Sequence, residues 1–374
     1  MDRLSIAHAN TLLLTSMAAL MLSLPQVAAS QPAATASRVN ARQVPDGVVG
    51  DVDLSGRSAE VKSIVDRLDF GSYKQLIVDL AWFRDRRAGT EQNRLANEWI
   101  EETLSGWGYV VERFRYDQNG DTLEQVYATN VGSTVPDEMV ILGAHMDGIG
   151  GGEAANDNAS GTALVMEIAR VLASDSIKTD RSVRFALWNG EEAGLVGSRA
   201  YVGERAPLQG VEEPPGSGRY PEPRWIAMIQ HDKVLFDHGN PVQHHQSWSA
   251  DIDIEFQLVS EMSDESADLG IEMINANRMF ATDYPAVLSN AMSSTDSVPF
   301  ANETATVSVR ENRRKYEIGW LGPSGHGARG SDPHWHQRSD LTVTYSDWDY
   351  LLGFNAAQTT LGATARLVGA RRAE

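Results

Sequence analysis

Residues 140–150, VILGAHMDGIG, join an uninterrupted apolar run to a pair of chemically active side chains, His145 and Asp147. A run of this kind reads as a buried strand. It delivers the pair to the carboxyl edge, where open α/β sheets place their ligands. Taken alone, His-x-Asp fits local hydrogen bonding as well as it fits metal chemistry. The neighbouring segments change that balance.

Working outward, the same design recurs twice. In ALWNGEEAG the strand Val183–Trp188 is followed by Glu191 and Glu192, and in WIAMIQHDKV the run Trp225–Ile229 is followed by His231 and Asp232. Helical spacing lies between and before these runs, over Ala163–Leu172 and from Thr90 through Leu95, Trp99, Ile100 and Leu104 to the stop at Gly106 and Gly108. Val110, Val111 and Phe114 then suggest another strand. The alternation predicts an α/β sheet. The Pro- and Gly-rich stretch between Tyr201 and Trp225 reads as a surface insertion, centred on 203–223, and Tyr345–Leu361 as a closing amphipathic helix followed by a frayed tail.

Two further clusters carry candidate donors. NDNASG, residues 156–161, sets Asp157 in a loop at a helix start, where a cap or Asx turn is the ordinary reading. HWHQRSD, residues 334–340, offers His334 and His336 after a Gly-rich run. Adjacent carboxylates at a strand end point in different directions, so one of Glu191 and Glu192 can bind a cation while the other takes a proton from water. With no cysteine in the chain, any metal must be held by imidazole and carboxylate, and several imidazoles favour zinc over calcium or magnesium.

Composition narrows the remaining classes. A chain of 374 residues, 42% hydrophobic and 22% charged, is expected to bury one large core. The net charge of -19 argues against electrostatic binding to nucleic acid or to an anionic membrane, both of which require a basic patch. The apolar segment Thr11–Leu24, followed by the small residues Val27, Ala28 and Ala29, reads as a signal peptide over 1–29. It precedes a flexible linker over 30–55, a catalytic domain over 56–365 and a tail over 366–374. A secreted or periplasmic protein with no stable membrane association after cleavage is the expectation.

The order His-x-Asp, Asn-Asp-Asn-x-Ser-Gly, Glu-Glu-Ala-Gly, Asp and His-x-x-x-Asp resembles the zinc exopeptidase family M-28. The resemblance spans about Thr90–Leu361. It implies a mixed, mostly parallel central sheet flanked by helices, of the phosphorylase/hydrolase-like kind, and two zinc ions bridged by Asp157. His145 and Asp232 would complete one site and Glu192 and His336 the other. Glu191 would be the general base and Asp147 a carboxylate behind the ligands. The implied activity is hydrolysis of peptide substrates, as an aminopeptidase. Carboxypeptidase or dipeptidase is the near alternative, and a glutaminyl cyclase-like acyltransferase or an inactive binding module the more distant ones. Three positions depart from the family's usual pattern: Trp335 stands where Tyr is common, His231 where an apolar residue is common, and Ser297, in TDSVPF, where His is usual. Strand alternation turns His231 away from Asp232, so it is expected not to be a ligand.

Overall fold

The computed structural model describes residues 55–237, 252–281, 283–311 and 332–373. The segment read as a signal peptide, nearly all of the one read as a linker, His244, His245, Arg313, Arg314 and the Gly-rich run Gly322–Gly330 lie outside the described residues. Among the described residues, no helix is long and apolar enough to cross a membrane.

In chain order the strands are β1 (Val111–Gln118), β2 (Asp121–Asn130), β3 (Val135–His145), β4 (Ile177–Lys178), β5 (Arg181–Trp188), β6 (Arg224–His231), β7 (Ile252–Glu255), β8 (Ala286–Ser289), β9 (Thr306–Glu311) and β10 (Arg371–Arg372). Eight of them form one sheet in the order β1-β2-β5-β3-β6-β9-β7-β8. The centre is parallel: β3 pairs with β5 and β6, and β6 with β9. The antiparallel pairs are β1 with β2, β2 with β5 and β7 with β9. The fold is therefore α/β with a mixed, mostly parallel sheet.

Burial on both faces explains the unbroken apolar run of β3. Val140, Leu142 and Ala144 belong to the larger core, with α2 (Phe70–Ala81), α4 (Gly161–Leu172) and α7 (Asp347–Leu367). Met139 and Ile141 point the other way, into a second core with Phe114, Trp188, Tyr201 and Phe300. A strand sandwiched in this manner shows no polar alternation, and each large side chain so buried contributes about 1.5–3 kcal/mol.

Helix ends follow local chemistry. Thr90 caps α3 (Glu91–Gly106) by accepting the Asn93 N–H on Oγ1 at 3.2 Å. Ser346 and Asp349 form a reciprocal capping box that starts α7. Two expectations need correction. The tail is not frayed at its start, because Arg371 and Arg372 pair with β4. The stretch from Tyr201 to Trp225 is not wholly irregular either: α5 (Val196–Arg205) covers its beginning, and Glu222 is fully buried against Arg184. The buried glutamate draws this stretch against the second core.

Parallel register is what assembles the site. His145 lies opposite Trp188 on β5, and Ala144 opposite His231 on β6. The three strands consequently end side by side, and the residues just beyond them, Glu191, Glu192 and Asp232, emerge next to His145.

Candidate active site

His145, the last residue of β3, is fully buried. Its Nδ1 lies 3.1 Å from the Asp147 carbonyl oxygen and 3.6 Å from Asp147 Oδ1. On the other side of the ring, Nε2 lies 3.3 Å from Asp157 Oδ1 and 3.6 Å from Asp232 Oδ1. The second oxygen of Asp157 faces the other imidazole: His336 Nε2 lies 3.0 Å from Asp157 Oδ2 and 3.0 Å from Glu192 Oε2. Asp157 thus divides its two oxygens between two donor triads, His145–Asp157–Asp232 and Asp157–Glu192–His336.

Glu191 lies farther from the imidazoles than the other carboxylates, yet its carboxylate is within 4.8 Å of donor atoms of His145 and Glu192, a third cluster that could hold a cation. It has no histidine within ion-pairing distance, whereas Asp147, Asp157, Asp232 and Glu192 each do. Its backbone N–H donates to Asp147 Oδ1 at 3.2 Å, and that of Glu192 donates to Asp147 Oδ2 at 3.3 Å. Asp147 therefore engages both neighbours, its backbone carbonyl the imidazole of His145 and its buried carboxylate the Glu191–Glu192 turn.

Asparagines on either side fix Asp157. Asn156 Oδ1 accepts the Leu235 N–H at 3.0 Å, and its Nδ2 donates to Glu311 at 2.8 Å and Asp332 at 2.9 Å. Asn158 Oδ1 accepts the Gly161 N–H at 2.9 Å, while its Nδ2 donates to the His231 carbonyl at 2.8 Å. Gly161 is obligatory at this junction, since a Cβ there would fall 2.6 Å from the same carbonyl oxygen. His231 itself bonds through Nδ1 to Gly143 O and through Nε2 to Thr360 Oγ1, each at 2.9 Å. Neither ring nitrogen is left for a cation.

The electrostatics call for positive charge. Burial, together with the nearby carboxylates, pushes Glu191 up to about 10 and Glu192 up to about 7. Burial pulls the His336 imidazole down, but Asp157 and Glu192 outweigh it and lift the group to about 10. A carboxyl raised as far as that of Glu191 ionises at neutral pH only beside a cation. The donors suit divalent ions that accept nitrogen and oxygen, and His145 Nε2 and Glu192 Oε1 are buried without a hydrogen-bond partner. The residues therefore fit such ions.

Sequence reading did not assign Arg310 a place here. It is buried on β9, with Nη2 donating to Asp232 Oδ2 at 2.6 Å and Nη1 3.5 Å from Glu255. The available signal was an arginine inside the apolar alternation of TVSVRE. Nor did it foresee Lys233, whose Nζ stands 4.1 Å from the centre of the Trp335 ring. A cavity of about 470 Å³ opens onto Glu191, Glu192, Asp232 and His336.

An α/β sheet with nitrogen and oxygen donors gathered at the carboxyl ends of its central strands defines a metal-dependent hydrolase scaffold. The chain belongs to peptidase family M28, whose family model matches residues 125–360. Over 72 residues it is 47% identical to an aminopeptidase of Pseudomonas aeruginosa, a match covering 19% of this chain and 13% of that protein. The chain matches about a quarter or less of the length of the first curated relatives, 27% and 13%. Its fold is shared with a zinc aminopeptidase from Bacillus subtilis, at TM-score 0.60 and 14% identity over 80% of this chain and 95% of that one. It is shared equally with a Porphyromonas gingivalis glutaminyl cyclase, at TM-score 0.59 and 16% identity over 81% and 99%.

Proposed function

We propose that the chain is a zinc-dependent aminopeptidase that holds two ions, acts on peptide substrates and works outside the cytoplasm. The observation that carries this reading is the division of Asp157 between two complete triads. His145, Asp157 and Asp232 would hold one ion, and Asp157, Glu192 and His336 the other. A bound zinc supplies Lewis acidity and lowers the pKa of its water to about 7.

The chain's own residues do the rest. Glu191, within 4.8 Å of the His145 and Glu192 donor atoms but not needed to complete either triad, takes the proton of the attacking water and returns it to the leaving amine. Asp147 holds Glu191 in place through its backbone N–H and keeps His145 in the tautomer with Nδ1 protonated. A complete set of donors in both triads argues against a cyclase that uses one ion. The half-buried Glu191 beside them argues against an inert binding module. The aminopeptidase direction is supported by the relative of that name.

The test is hydrolysis of one short peptide by the purified chain, free or blocked at either end, with and without chelator, and products identified by mass. Release of the first residue, abolished by blocking the amine or by chelator, is expected. Release from the other end would replace the reading with a carboxypeptidase.

A further inference from the structure

Beyond the donors, the cavity has an unusual lining of positive charge. Among the described residues, four acidic side chains, Asp157, Glu191, Glu192 and Asp232, share it with three basic ones, Arg199, Lys233 and Arg310. Arg310 is already matched, by Asp232 at 2.6 Å and Glu255 at 3.5 Å. The other two are held by neutral groups. Lys233 Nζ rests over the Trp335 ring, 4.1 Å from its centre, and Arg199 Nε donates to the Gly194 carbonyl at 3.3 Å. Neither has an ion pair among the described residues.

Lys233 is anchored at the heart of the site. It follows Asp232 directly, its backbone N–H donates to Asn158 Oδ1 at 3.2 Å, and its carbonyl accepts the Glu311 N–H at 2.7 Å. Arg199 sits across the cavity on α5, tied to the turn that carries Glu191 and Glu192. Once divalent ions balance the four acidic groups, the surplus charge in the cavity is that of these two cations. Apolar lining is sparse, with Leu195, Val298 and Trp335, so a purely hydrophobic side chain gains little there.

We propose that this cavity selects peptides carrying a carboxylate close to the scissile bond, read by Lys233 and Arg199. The inference rests on the peptidase reading above. The carboxylate is either the side chain of an acidic first residue or the free end of a dipeptide, and the two sources are separable.

The full chain, loaded with zinc, is assayed on two matched pairs: Glu-Ala-amide against Gln-Ala-amide, and Leu-Ala against Leu-Ala-amide. The carboxylate member of one pair is expected to have a kcat/KM on the order of tenfold higher, falling with added salt, and the pair that responds names the source. The ratio should collapse to near unity in Lys233→Met with Arg199→Gln, and invert in Lys233→Glu. Because each ratio is taken within one preparation, partial misfolding cancels. Calorimetric binding of the same four peptides to the Glu191→Gln chain, in which turnover is slow, gives a readout independent of catalysis for either source, and the same preference and the same loss are expected. Equal kcat/KM within both pairs, or a preference that survives the variants, overturns the proposal and leaves the peptidase reading standing. No hydrolysis of any of the four peptides overturns the peptidase reading instead, and the calorimetric comparison then decides whether the two cations read a carboxylate.

Discussion

Asp340 accepts the backbone N–H of Asp157 on Oδ2 at 3.1 Å, across 183 positions of sequence, while its Oδ1 takes the N–H of Asn156 at 2.8 Å. The Tyr345 hydroxyl donates to the same Oδ1 at 3.0 Å. Since His336 lies four residues earlier on the same segment, one stretch supplies an imidazole to the second triad and also clamps the loop that carries the shared carboxylate.

Asp340→Asn is therefore expected to weaken metal binding without touching a donor. An amide offers one acceptor and turns a second donor toward a backbone N–H, leaving a buried group unpaired at about 1–3 kcal/mol. Metal affinity, measured by competition with a chelator, should fall about 10–100-fold, with far-UV circular dichroism unchanged. Unaltered affinity would remove Asp340 from the support of Asp157.

For Glu191→Gln the expected outcome separates binding from turnover. Both triads are complete without Glu191, so the amide should leave metal content intact while kcat falls about 10²–10⁴-fold. Elemental analysis alongside steady-state kinetics checks both. Loss of metal together with activity would make Glu191 a ligand rather than a base.

The closeness of His145, Glu191, Glu192 and Asp232 was legible in the sequence because each of three apolar runs ends at a polar pair and residues just beyond the parallel β3, β5 and β6 must be neighbours, whereas Asp157 and His336 joined them only through the family resemblance. The supporting contacts were not legible. Arg310 reaches Asp232 from β9, and Asp340 reaches Asp157 from a loop, and no local pattern marks which polar residue will meet which across such separations. Glu222 was hidden for another reason: prolines on either side of it, Pro221 and Pro223, suggest an exposed loop whatever the glutamate itself touches.

Metal stoichiometry tests the division of Asp157 directly. Two ions per chain are expected for the unaltered protein. His145→Ala and His336→Ala should each retain about one, because each removes a donor from one triad only, while Asp157→Ala should lose both. Chelator should also lower the melting temperature, since ions bound only by the folded chain stabilise it by mass action. Equal losses in all three variants would show that the two triads do not bind independently.

Stability should depend on a buried pair far from the donors. Arg184 is buried between strands, its Nη1 donating to Glu222 Oε2 at 2.5 Å and its guanidinium 4.5 Å from the centre of the Tyr127 ring. Tyr201 donates to the other oxygen of Glu222 at 3.0 Å, and Trp225 donates to it as well. Glu222→Gln leaves the arginine charge without its counter-ion in a site closed to water, which costs about 3–5 kcal/mol. Removing both charges, as Arg184→Met with Glu222→Leu, should cost less than the single change, because the double variant buries no unmatched charge. Urea denaturation of the two variants beside the unaltered chain gives the order. A double variant less stable than Glu222→Gln would mean that the pair contributes through its hydrogen bonds to the surrounding aromatic residues more than through charge compensation.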